Sequence, residues 1–149
     1  MKQCGMQRGF TLLELMIAMA VLSILLVIAI PLYFNYQTRA KVAEAFAIAG
    51  SAVLSVTEMG HAGTWPSSNH EAGLASPASI VGSYVGSVSV TRPVPDEPSQ
   101  ITVTMSDGNT QLFGRIIILE PVQRSGSIHW RCSRSKSTVD EKFLPASCR

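Results

Sequence analysis

The sequence offers a catalyst little to work with. Its three histidines, His61, His70 and His129, form no metal-ligand pattern with one another or with the cysteines. Ser133-Arg134-Ser135-Lys136 fits the Ser-x-x-Lys pattern of penicillin-recognising enzymes, but the companion Ser-Asp-Asn and Lys-Thr-Gly motifs are missing. Gly82 and Gly86 flank Tyr84 at the wrong spacing for a phosphate loop, with no helix signal after them. No internal repeat, low-complexity tract or long linker is present. An enzymatic activity, a metal site and a bound cofactor are therefore not expected. A surplus of positive charge is also lacking. Twelve basic residues stand against ten acidic ones, and two of the twelve, Lys2 and Arg8, fall in the first nine residues, so residues 10–149 carry ten of each. No global basic character argues for nucleic acid.

At 149 residues, 46% of them hydrophobic, the chain allows one small domain plus one apolar segment. That segment is long. From Phe10 to Ile30 the only charge is Glu14. At about 1.5 Å rise per residue a helix over this run covers roughly 30 Å, the hydrocarbon thickness of a bilayer. Secretory signal peptides also begin basic, but their apolar cores are about 7–15 residues long. Lys2 and Arg8 lie before the span, which keeps the N-terminus cytoplasmic and sends the rest outward. A plain signal anchor is the alternative for residues 1–30. It leaves Glu14 unexplained, since an acidic side chain in lipid costs on the order of 2.5–3.5 kcal/mol and usually has a partner and a function.

The residues around that glutamate, Gly9-Phe10-Thr11-Leu12-Leu13-Glu14-Leu15-Met16-Ile17, and the continuation Ala29-Ile30-Pro31-Leu32-Tyr33-Phe34-Asn35-Tyr36 resemble the processing and assembly motif of type IV pilins and related pseudopilins. The match combines a basic leader ending in glycine, an aromatic first mature residue, a glutamate at the fifth mature position, and that continuation. The resemblance implies cleavage after Gly9 by a prepilin peptidase, N-methylation of Phe10, and polymerisation into a helical homopolymer with the inner-membrane assembly machinery. In the mechanism it implies, the new amine on Phe10 of an incoming subunit neutralises Glu14 of a subunit already in the fibre. Two positions depart from the pattern: Ser23 stands where many relatives have glycine, and Leu32 where a polar residue is common. They bear on helix flexibility and packing rather than on the junction. Tyr33, Phe34 and Tyr36 read as an interfacial aromatic belt and, by the resemblance, as packing between filament-core helices.

Pro31 cannot donate a backbone hydrogen bond to the carbonyl of Val27, which predicts a kink. Helical signals then resume. Arg39 to Phe46 is rich in strong helix formers, and Val42, Phe46, Ala49, Val53 and Val56 recur at spacings of four and three, with Glu44, Ser51, Ser55 and Glu58 mostly off that stripe. The helix is expected to end near Gly60; two helices hinged at Pro31 are the alternative. Residues 61–83 read as a loop with a minor helix around Asn69 to Ala75. Strands are expected at Tyr84–Thr91, Ile101–Met105, Phe113–Leu119 and Ser127–Cys132, with a turn at Asp107-Gly108-Asn109 and Pro121 closing the third. Four strands joined by hairpin-length links favour an antiparallel sheet with the amphipathic helix as its cover.

Loss of the leader removes Cys4 and leaves Cys132 and Cys148, an even pair that reads as a disulfide in an exported domain. The ending from Trp130-Arg131-Cys132 to Phe143-Leu144-Pro145-Ala146-Ser147-Cys148-Arg149 again resembles the type IVa pilins, whose C-terminal cysteine pair staples a surface loop to the sheet.

The expected architecture is α+β. A leader occupies residues 1–9, a transmembrane and filament-core helix residues 10–30, an amphipathic extension residues 31–60, and a globular head residues 61–149 with the disulfide loop 132–148. The resemblance implies a structural subunit of a retractile type IV pilus, single-pass in the inner membrane before assembly and extracellular afterwards, serving motility, adhesion or DNA uptake. A type II secretion pseudopilin and a minor DNA-binding pilin are the alternatives; host surfaces and DNA are candidate contacts. Charge adds one independent reading. From Glu44 to Asp107 there are six acids and one base, and from Arg115 to Arg149 seven bases and three acids. Arg131, Arg134 and Lys136 are therefore candidates for contact with a neighbouring subunit or with DNA phosphates, against the plainer reading that they are solvated surface charges.

Overall fold

The computed structural model describes residues 9–108 and 111–148. Lys2, Cys4 and Arg8 of the expected leader, Asn109 of the expected turn, and Arg149 lie outside the described residues. The chain forms two compact units, the first ending at Tyr36 and the second beginning at Gln37. One helix, α1 (Leu12–His61), contains Pro31 and supplies the whole helical content of the first unit. Among its described residues every large apolar side chain is exposed, from Phe10 at 82% to Ile30 at 49%. The helix is long and apolar enough to cross a membrane.

In the second unit, α1 from Gln37 onward covers an antiparallel sheet of four strands in the order β1 (Val85–Thr91), β2 (Gln100–Met105), β3 (Ile116–Arg124), β4 (Ser127–Cys132). The helix buries Val42, Ala45, Ala49, Ala52, Val56 and Gly60. The expected stripe is right at 42, 49 and 56 but centred one residue off, with Phe46 and Val53 only partly buried at its flank. Alanine explains the difference: small side chains at the contact line let the helix lie close to the sheet, and bulkier ones fit at the edges. Facing them are Val88, Val90, Ile101, Val103, Ile117 and Leu119, all buried, each contributing about 1.5–3 kcal/mol by leaving water. Val85 and Val88 both point inward because a bulge between Val85 and Ser87 shifts the register.

Three expectations need correction. The third strand starts at Ile116 rather than Phe113: residues 111–114 form a turn, with Gly114 at φ +67 and Phe113 exposed. Pro121 does not close the strand but lies inside it, paired with Trp130. It is tolerated because the β2 ladder ends at Ile101 and Leu119, so no β2 carbonyl waits for the N–H that proline lacks. The minor helix at Asn69 to Ala75 is a series of turns, and a short 3₁₀ helix forms later, at Pro77–Ser79.

Asn69 is buried in those turns, against the free edge of β1. Its Oδ1 accepts from the Val90 N–H at 2.6 Å, and its Nδ2 donates to the carbonyls of Val88 (2.9 Å) and Ala75 (3.0 Å). Next to it, Glu71 accepts from the Ser67 backbone N–H and hydroxyl, which hold its carboxyl below the usual carboxylate range.

Two glycines fix how closely the 61–83 segment meets the helix. A Cβ at Gly60 would sit 2.7 Å from the Trp65 ring and 2.8 Å from Ile128 Cδ1, and one at Gly82 2.2 Å from Ile48 Cδ1. Gly60→Ala is expected to lower stability by about 1–3 kcal/mol through overpacking, read as a drop in the urea midpoint of the purified subunit. An unchanged midpoint would mean Trp65 swings clear at no cost.

Candidate assembly site

The N-terminus of α1 is built by three residues. Thr11 precedes the first helical residue, and its Oγ1 accepts from the Glu14 backbone N–H at 3.2 Å while its carbonyl accepts from Leu15 N–H. Thr-x-x-Glu before an apolar run is the sequence form of a capping box, so Thr11 was legible as a cap, although the strength of the surrounding motif draws attention only to Glu14. Glu14 thus stands at the third helical position, exposed, near the positive end of the helix dipole. Phe10, just outside the helix, is exposed as well. Further along, Ser23 satisfies its hydroxyl by donating to the Met19 carbonyl at 2.8 Å, so the departure from glycine adds no unpaired polar group to the apolar surface.

At the other end of the chain, Cys132 at the end of β4 is joined to Cys148 in the 3₁₀ helix Ala146–Cys148. The enclosed loop takes over the edge of β3 where β4 stops. Ser133 N–H donates to the Ile118 carbonyl at 2.8 Å, Thr138 N–H to the Ile116 carbonyl at 2.9 Å, and Ile116 and Ile118 N–H groups donate back to the hydroxyls of Thr138 and Ser137. Val139, Phe143 and Leu144 are buried in the core.

The basic cluster is not left open. Lys136 Nζ lies 2.8 Å from Glu120, Arg131 3.9 Å from the same carboxylate, and Arg134 3.9 Å from Glu141. Glu120 is the better buried partner and ties the loop to β3. The Lys136 ammonium of the Ser-x-x-Lys pattern is thereby held by a carboxylate, while Ser133 is buried. Glu44, read as lying mostly off the buried stripe, is half-buried and accepts from the Tyr84 N–H at 3.3 Å. Among the described residues, no group of three or more His, Cys, Asp or Glu is placed to hold a metal.

An exposed apolar helix start that carries one glutamate, followed along the chain by a stapled sheet domain, is matched in known proteins. The chain matches the family Pilin (bacterial filament) over residues 38–149 and the prokaryotic N-terminal methylation motif over residues 4–30. The chain belongs to the pilin family. This pilin is similar to the fimbrial protein EcpC of Eikenella corrodens, 40% identical over 146 residues that span 96% of this chain and 91% of the relative. It is also similar to the type IV major pilin protein PilE of Neisseria gonorrhoeae, at 35% identity over 97% of this chain and 95% of the relative, and to a fimbrial protein of Moraxella nonliquefaciens, at 30% identity over 95% and 96%. Matches along whole chains to fimbrial proteins and major pilins do not favour a secretion pseudopilin. The pilin is a structural filament subunit, and the family it matches is not an enzyme family.

Proposed function

We propose that this pilin is a major, or major-like, subunit of a type IV pilus, cut after Gly9 by a prepilin peptidase, methylated on Phe10, and assembled through its N-terminal helix. One observation carries the reading: from Leu12 to Tyr36 the helix exposes its apolar side chains on every face, with Glu14 as the only acid. Such a surface demands lipid or other helices around it. In the inner membrane the monomer is covered by lipid; in the fibre, copies of the same helix replace lipid, and the Phe10 amine of one copy answers Glu14 of another. The partners are then the peptidase, the inner-membrane assembly machinery and the subunit itself. The finished fibre is extracellular and serves adhesion, twitching motility or DNA uptake.

Intact-mass measurement on the purified subunit tests the processing. The expected species is residues 10–149 with one methyl group and two protons fewer than the reduced chain. A subunit that kept Lys2 or Arg8 would overturn the reading. Electron microscopy of sheared surface fibres, in strains with and without the chain, tests the assembly.

A further inference from the structure

The two ends of the head differ in shape. Around the end where α1 enters, Arg39 Nε donates to the Lys142 carbonyl at 2.9 Å and Arg115 to the Thr138 carbonyl at 3.2 Å. Lys41 and Asp107 pair there at 2.6 Å with little exposure, and Glu44 is half-buried. The exposed charges at this foot are Arg39, Arg115 and Lys142 against Asp140 and Glu141, three bases to two acids. Lys142 and Asp140 lie 3.5 Å apart, an exposed pair of small weight. The opposite end, the crown, holds the last turn of α1, the 92–99 connection and the β3–β4 hairpin. Ser99 bonds the Pro66 carbonyl there, and Gly60 packs under Trp65 and Ile128. Its exposed charges are Glu58, Glu71, Asp96 and Glu97 against Arg92, Arg124, Arg131 and Lys136, the last two lining a hollow with Glu97 and Pro98, four acids to four bases.

The foot carries a half-open groove of about 580 Å³ lined by Arg39, Ala43, Phe46, Phe143, Leu144 and Pro145. The crown connection Arg92-Pro93-Val94-Pro95-Asp96-Glu97-Pro98 holds three prolines, which stiffen it before any contact is made. Its one large apolar side chain, Val94, is 45% exposed, and two acids follow within three residues.

We propose that the crown connection of one subunit seats in the foot groove of a second copy, Val94 among Phe46, Phe143 and Leu144, with Asp96 and Glu97 facing Arg39. The proposal rests on the filament reading, which puts a second copy beside every subunit. The contact joins two different patches, so it repeats without closing, as a fibre requires. At the contact itself the two acids of the connection, Asp96 and Glu97, are opposite in sign to the Arg39 of the groove.

Two cysteines placed across the contact test it in fibres of the full chain, since the native pair is already joined. Val94→Cys with Ala43→Cys should give a ladder of covalent multimers on non-reducing gels of oxidised fibres, at least tenfold above either single variant. Intact fibres without a ladder would overturn the contact. A charge exchange gives a second test: Arg39→Glu should produce fibres that break at lower shear, and adding Glu97→Lys should restore them. Failure to restore counts against the contact. Absence of fibres from the unaltered chain would overturn the filament reading itself, a separate result.

Discussion

Glu14→Ala is expected to leave membrane insertion and cleavage after Gly9 intact while fibre yield collapses. The apolar run loses its one charged residue, so insertion becomes easier rather than harder. The Thr11 cap survives, because Thr11 accepts from the backbone N–H of residue 14 and not from its side chain. The fibre, in contrast, is left with the amine of Phe10 among apolar helices and no carboxylate to answer it. Stranding one member of a buried pair costs about 3–5 kcal/mol, roughly two to four powers of ten in the docking equilibrium. The measurement is a parallel count of mature subunit in membranes and of sheared fibres. Normal fibre numbers would show that the pair is dispensable.

Replacing both Cys132 and Cys148 by serine is expected to lower the stability of the head by about 3 kcal/mol, the chain-entropy value for a closed loop of about 15 residues. In a domain of this size that is on the order of 10 °C or more in melting temperature. The loop keeps its hydrogen bonds to β3 and its anchors Phe143 and Leu144, so a lower midpoint with a native spectrum is expected rather than a missing fold. Trp65 and Trp130, both in the head, report the transition by fluorescence. An unchanged midpoint would assign the fastening of the loop to the core residues and the Glu120 pairs alone.

The helix, the order of the strands and the cysteine pairing were legible because each has a local signal: an unbroken apolar run, alternation, an even cysteine count. What escaped depends on partners far along the chain. Phe113 is as apolar as the strand it precedes, and only Gly114 at positive φ shows that the chain turns there first. Pro121 forbids an interior ladder only where a neighbour is waiting, and β2 stops two residues earlier. Glu44 looks like any solvated helix carboxylate until Tyr84, forty residues on, offers its N–H. Arg131, Arg134 and Lys136 form a basic cluster in sequence; in space Glu120 and Glu141 stand beside them. Thr11 was the reverse case, a local signal overshadowed by a stronger one.

The amide of Asn69 occupies backbone groups of β1 that would otherwise face outward from the sheet. In the proposed function, subunits that wait in the inner membrane are held at one depth with parallel orientation, an arrangement that favours strand-to-strand aggregation through a bare edge. With this stretch of β1 occupied, one of the sheet's two edges is closed to such pairing. On that reading, Asn69 helps keep the stored subunits separate, so that they join through the helix rather than through the sheet.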